Sequence, residues 1–349
     1  PGDYSTIQGG INAATEGDTV LVAAGTYVEN INFNGKNISV IGADQATTII
    51  DGDSSEAVVM FRNGETRSAL LQNFTITNGN ASNSSVSYGD GGGGIHIRYS
   101  SPTLKDLIVT NNDASDYGGG VAIYGNSNPL LDNITISENS ASRGGGLCVK
   151  NHANAVIQNA IISNNTTTSN GGGLFIEDQS NPTFENVQIT GNTAQNGGGV
   201  YITNQCSPTL TNVTISGNTS TSTGGGINIV NSNPTLTNTI IWDNRPESIY
   251  LHSDETPIIT YSDIEVDISW VGIGNINFNP LFTDSLSGDY SLQAHSPCID
   301  AGTAYFVQEA EEYFDSNENS IYDYAELFAD LNGNGIYDYT EQFADLNGN

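Results

Sequence analysis

From Asp315 to Asn349 the chain sets oxygen-bearing residues at a spacing of 15, in the phrases "DSNENSIYDYAE", "DLNGNGIYDYTE" and "DLNGN". Counted from Asp330, a twelve-residue loop offers Asp330, Asn332 and Asn334 at positions 1, 3 and 5. The Ile336 carbonyl follows at 7, Asp338 at 9 and Glu341 at 12, with Gly335 at the sharp turn. A hard cation such as Ca2+ takes about six to eight oxygens, and a closing bidentate Glu supplies two of them. The preceding loop repeats the set through Asp315, Asn317, Asn319, the Ile321 carbonyl, Asp323 and Glu326, with Ser320 in place of the turn glycine. Asp345, Asn347 and Asn349 open a third. Ca2+ is therefore the expected cofactor. Three residues between loops leave no room for flanking helices, so the segment is expected to be a tandem repeat that stiffens on binding calcium. The unbroken register predicts either further repeats past Asn349 or a second subunit that completes the half-site head to tail.

A second set of reactive residues follows the glycine triplets that end at Gly94, Gly120, Gly146, Gly173, Gly199 and Gly226. The residues two and four places on are His96 and Arg98, Ala122 and Tyr124, Cys148 and Lys150, Phe175 and Glu177, Tyr201 and Thr203, Asn228 and Val230. His152 and Asp178 lie beside them. On alternating strands these side chains are expected to form an outward, solvent-facing stripe, with Phe175 and Tyr201 as exposed aromatics. A base and a cation on such a stripe suit removal of the proton α to a uronate carboxylate. Arg98 or Lys150 is the candidate base, and Glu177 with Asp178 the candidate Ca2+ holder. The alternative is an ion-pair ladder of Arg98, Lys150 and Glu177 without catalysis.

The elements behind this stripe repeat every 26 or 27 residues. Each triplet precedes an apolar-x-apolar strand, as in "VYI". A second strand begins near "NPTF" or "SPTL", and a third short strand follows an Asx residue at Asp106, Asn133, Asn159, Asn186, Asn212 or Asn238. A further Asn closes the unit at Asn112, Asn139, Asn165, Asn192, Asn218 or Asn244. Such strands cannot close a core within one repeat, but stacked as coils of a parallel solenoid they can. Positions one and three after the triplets, such as Val200 and Ile202, then point inward. Both Asx columns are expected to become internal amide ladders, and the triplets to supply corners with φ > 0.

The phrase "ITGNTAQNGGGVYI" resembles the repeats of chlamydial polymorphic outer-membrane proteins. The opening "YSTIQGGINAATEGDTVLVAAGTYVENINFNGKNISVIG" resembles the capped first turns of pectinesterase-like and pectate-lyase-like proteins. The stretch "NPLFTDSLSGDYSLQAHSPCIDAG" is similar to the closing turns of secreted bacterial β-helix proteins, and the tail resembles dockerin and thrombospondin type 3 calcium repeats. These resemblances imply an all-β, single-stranded right-handed parallel β-helix. The expected organisation is an N-terminal cap and first turns over 1–52, the coils and closing turns over 53–302, and calcium repeats over 303–349.

Eight Lys plus Arg against 39 Asp plus Glu give a formal charge of −31, which excludes charge-driven binding of nucleic acid or an anionic membrane surface. Residues 300 to 349 hold 12 carboxylates and no Lys, Arg or His. Cys148, Cys206 and Cys298 are odd in number and far apart, so they read as buried thiols rather than a disulfide framework. No run is long and apolar enough to span a membrane, and Pro1 is not an initiator, which predicts that any leader has been removed or lies outside this chain. The whole is expected to be a secreted or cell-surface calcium-binding protein with a structural, adhesive or fibre-forming role. Its expected partners are calcium, carbohydrate and further copies of itself. The alternative is a polysaccharide-active enzyme, a uronate lyase.

Overall fold

The computed structural model describes residues 3–81, 91–253, 255–265 and 270–303. The expected calcium loops from Asp315 to Asn349 lie outside the described residues. The described coils wind as a right-handed parallel β-helix of about nine turns. A short helix, Ile7–Ala13, stands at the N-terminal end, its first turn capped by the Thr6 hydroxyl accepting from the Gly9 amide.

Each coil contributes to three parallel sheets. The main sheet is built from eight-residue strands such as Thr103–Thr110, Leu130–Ser137, Val156–Ser163, Thr183–Thr190 and Thr209–Ser216. A second, post-glycine sheet stacks Ile95–Arg98, Val121–Tyr124, Leu147–Lys150, Leu174–Ile176, Val200–Ile202 and Ile227–Ile229 in register. A third, short sheet stacks Asp113–Tyr117, Ser140–Arg143, Thr166–Asn170, Thr193–Asn196 and Thr219–Thr223. The expected second and third strands are thus one strand. It bends without breaking because Asp106, Asn133, Asn159, Asn186 and Asn212 sit at φ of 52° to 55° midway along it. The short sheet was not expected, because its Ser- and Thr-rich strands carry no apolar alternation.

The apolar columns stand where expected. Val121, Ile123, Leu147, Val149, Leu174, Ile176, Val200, Ile202, Ile227 and Ile229 are fully buried. Each such side chain contributes roughly 1.5–3 kcal/mol by leaving water.

The two Asx columns are not alike, and the expectation that both are internal is corrected. The column Asn112, Asn139, Asn165, Asn192, Asn218 and Asn244 is buried. Each Oδ1 from Asn139 on accepts the backbone N–H and the Nδ2 of the Asn one coil earlier, at 2.9–3.0 Å. The column Asn133, Asn159, Asn186 and Asn212 is exposed and forms a second ladder on the outside. There Asn186 donates to Asn159 at 3.3 Å and Asn212 donates to Asn186 at 3.1 Å. The side chain at a left-handed bend points away from the core, so the same residue type serves opposite faces.

The glycine expectation is also narrower in fact. Only the first glycine of each triplet has positive φ, as at Gly118 (63°) and Gly197 (63°). The second and third are required by close approach. A Cβ on Gly120 would lie 2.7 Å from the Gly146 carbonyl oxygen and 2.9 Å from the ladder amide of Asn139.

The thiols are all free. Cys148 and Cys206 are buried as expected, whereas Cys298 is half-buried and its Sγ donates to Asp263 Oδ2 at 3.0 Å. Burial, then the Asp263 carboxylate, push the Cys298 thiol up to about 12. Among the described residues no helix is long and apolar enough to cross a membrane.

Candidate functional site

The outward side of the post-glycine sheet does not face open solvent. At the first glycine of each triplet the chain turns back so sharply that the end of the short strand meets the stripe two residues beyond the triplet. A Cβ on Gly197 would touch Tyr201 Cβ at 2.8 Å, and one on Gly224 would touch Asn228 Cβ at 2.7 Å. The result is a re-entrant corner. Tyr117, Arg143, Asn170, Asn196 and Thr223 stand on one wall, and Ala122, Cys148, Phe175, Tyr201 and Asn228 on the other.

Residues expected to be exposed are therefore covered. Ala122, Tyr124, Cys148 and Phe175 form a buried cluster against which Tyr117 and Tyr201 pack; Asn228 and Thr203 are buried too. Phe175 is only 1% exposed, which corrects its reading as a surface aromatic. It stacks on Tyr201 at 5.7 Å between centroids and meets Tyr117 at 5.9 Å. Burial pushes the Cys148 thiol far above the usual range, so it is inert.

Lys150 of the stripe meets here a cation that the sequence did not point to, Arg143. Arg143 Nη1 donates to the Tyr117 hydroxyl at 2.8 Å, with its guanidinium 5.3 Å from that ring, and Lys150 Nζ lies 4.0 Å from the same ring. Lys150 pairs with Glu177 at 3.1 Å, their side chains 14% and 19% exposed. Burial alone would lower the Lys150 ammonium, but the Glu177 carboxylate and Tyr117 raise it above its ordinary value. Paired in this way, Lys150 is held in its charged form, which does not suit the base expected of it. Arg98 is two coils away, its guanidinium 5.1 Å from the Tyr99 ring, with Tyr124 in register between Arg98 and Lys150. Of the expected ion ladder, the Lys150–Glu177 pair is in place.

Glu177 and Asp178, the expected calcium holder, are joined through Asn204. Glu177 spends its two oxygens on Lys150 and on the Asn204 amide, which donates at 3.4 Å to Glu177 and at 3.2 Å to Asp178. Among the described residues no three His, Cys, Asp or Glu side chains gather around a common point. Asp178 and His152 sit instead on the following corner, around a shallow depression of about 360 Å3 rimmed by Asn151, Gln179 and Gln205.

His96 closes one end of the stripe. Its Nδ1 lies 2.9 Å from the Gly91 carbonyl oxygen, a contact that makes Nδ1–H the donor and leaves Nε2 unprotonated in the neutral ring. Burial, with Arg62 and Arg98 nearby, lowers its pKa below 6.5, while Gly91 opposes the shift. A histidine held neutral in the fold favours the native state above its unfolded pKa. That contribution is lost as pH falls through 6.5 toward the lower native value. Chemical denaturation at pH 7.5 and pH 5 should show wild type losing more stability on acidification than His96→Asn; equal losses would remove His96 as the cause.

The coils, corners and ladders define a right-handed parallel β-helix. The family described as "Right handed beta helix region" matches residues 24–212 and 139–276, and the chain belongs to that family. No curated protein matches it. Among solved structures it is similar to the pectate lyase Pel9A, with 15% identity, a TM-score of 0.46, and coverage of 78% of this chain and 65% of that one. It is also similar to a pectin methylesterase from Yersinia enterocolitica (10% identity, TM-score 0.41, covering 66% and 90%) and to one from carrot (14%, 0.40, 83% and 94%). At these identities the likeness is one of fold.

Proposed function

We propose that the chain is an extracellular protein whose re-entrant corner engages an acidic polysaccharide. The observation that carries this is charge segregation. In a chain of net charge −31, four of the eight Lys and Arg residues, Arg62, Arg98, Arg143 and Lys150, gather along the corner and the end marked by His96. Uronate carboxylates would meet the guanidinium groups as charge-assisted hydrogen-bond partners, and sugar faces would pack on the part-exposed Tyr117 and Tyr201. His96, neutral with a free Nε2, is the group suited to accept a proton; Lys150 and Arg98 serve as cations. Affinity electrophoresis through gels containing polyuronate or neutral glucan tests binding. Retardation specific to polyuronate should fall at least threefold in an Arg143→Gln, Lys150→Gln double variant, and equal migration in both gels would retire the proposal. Release of unsaturated product, lost in His96→Asn, would identify the activity as elimination.

Calcium enters this proposal from sequence alone, through the loops at Asp315–Glu326 and Asp330–Glu341 and the half-loop at Asp345. The tail would anchor or stiffen the protein outside the cell. An adhesive role, with head-to-tail association of copies, is the second reading. It is supported by the near-identical register of successive coils, since a coil edge is a template for another coil.

A further inference from the structure

A second cleft lies at the main sheet, beneath the antiparallel hairpin of Phe282–Asp284 and Asp289–Leu292. It encloses about 590 Å3, within the range of about 300–1,000 Å3 typical of ligand pockets. Its floor is set by one column of residues, the position just before each internal ladder position. That column reads Asn78, Asn111, Glu138, Asn164, Gly191, Gly217 and Asp243, all at φ between 55° and 66°. Asn, Glu and Asp hold this conformation in five coils, so the backbone does not demand glycine in the other two. Gly191 and Gly217 instead leave out two side chains where the hairpin crosses. A Cβ on Gly217 would find its nearest neighbour, the Tyr290 hydroxyl, at 3.6 Å, and one on Gly191 would meet the side-chain oxygen of Asn164.

The lining is amphipathic in the manner of a sugar. Tyr290, braced edge-on by Phe282 at 5.1 Å, supplies an aromatic surface. Ile161, 41% exposed, and Leu286, fully exposed at the hairpin tip, add apolar edges. Gln188, Asn164 and Ser216 bring amides and a hydroxyl to the same space. Asp243 is the only charged side chain among the lining residues, and it is paired with Arg245 at 2.7 Å. Among the described lining residues none is a cation, and Arg245 beside them is engaged by Asp243 and Glu265.

We infer that this cleft binds a neutral oligosaccharide, one pyranose lying against Tyr290 with its hydroxyls bonded by Gln188 and Asn164. The site is independent of the corner: it lies on another sheet and takes a ligand without charge. Isothermal titration calorimetry with cellohexaose, xylohexaose and mannohexaose tests it on the full chain. At least one should bind, and polyuronate should not compete. Gly191→Asn introduces the residue that the same column carries at Asn78, Asn111 and Asn164, so it fills the floor while keeping the backbone. It should weaken binding at least tenfold with an unchanged melting curve. Leu286→Glu, at a position free of packing, should weaken it several-fold and serves if Gly191→Asn perturbs the fold. Absence of binding to all three sugars, binding that survives both substitutions, or full competition by polyuronate would overturn the inference.

Discussion

Asn192→Leu should destabilise the β-helix by about 4 kcal/mol, since each buried group left without a partner costs roughly 1–3 kcal/mol. The Asn192 oxygen accepts from the Asn165 backbone N–H at 2.9 Å and from Asn165 Nδ2 at 3.0 Å, and its amide donates to the Ile162 carbonyl and to Asn218, both at 2.9 Å. Leucine leaves the Asn165 backbone N–H and one amide hydrogen unmet in a site closed to water. Asn186→Leu is the informative control. It breaks two exposed ladder contacts and places a branched side chain at φ 55°, which costs about 1–2 kcal/mol. Urea denaturation of the two variants checks the ranking. Similar midpoints would mean that the inner and outer ladders contribute equally, contrary to their difference in burial.

Gly198→Ala is expected to cost about 3 kcal/mol, at the upper end of ordinary overpacking. The added methyl would lie 2.5 Å from the Thr219 carbonyl oxygen and 2.7 Å from that of Gly225. Both are backbone atoms of the next coil, so relief requires two rungs to separate rather than one side chain to turn. Gly217→Ala, where the nearest atom is 3.6 Å away, carries only the strain of φ 66° and should cost about 1 kcal/mol. Thermal melts that place the two variants together would show that conformation, and not approach, fixes the triplet glycines.

The coil repeat and its apolar columns were legible because burial imposes a period. Val200 and Ile202 must alternate inward whatever their neighbours do. The side taken by each Asx column was not, because it depends on which residue carries the left-handed bend, and Asn suits both roles. A usable signal was present: the position before the inner ladder varies through Asn111, Glu138, Asn164, Gly191, Gly217 and Asp243, as an outward position does, while the inner column is Asn in all six coils. The candidate site was half legible. Arg98, Lys150 and Glu177 do project from one face, but alternation says only that a side chain points away from the core. It does not say that Tyr117 and Arg143 fold back to cover Phe175, because that contact is created by a turn in three dimensions. The glycines at 191 and 217 were readable only against their column, once the bend positions were known.

The inner ladder has a direction. Each Asn from Asn112 to Asn218 gives hydrogens to the oxygen of the coil that follows, so five amide links point the same way in series. Each rung therefore leaves to its successor the same vacancy that it filled itself, and the middle of the molecule contains no information about how many rungs there are. Length behaves as a counted quantity, changeable by whole turns through duplication or loss of 26 or 27 residues, while Ile7–Ala13 and the closing hairpin act as punctuation.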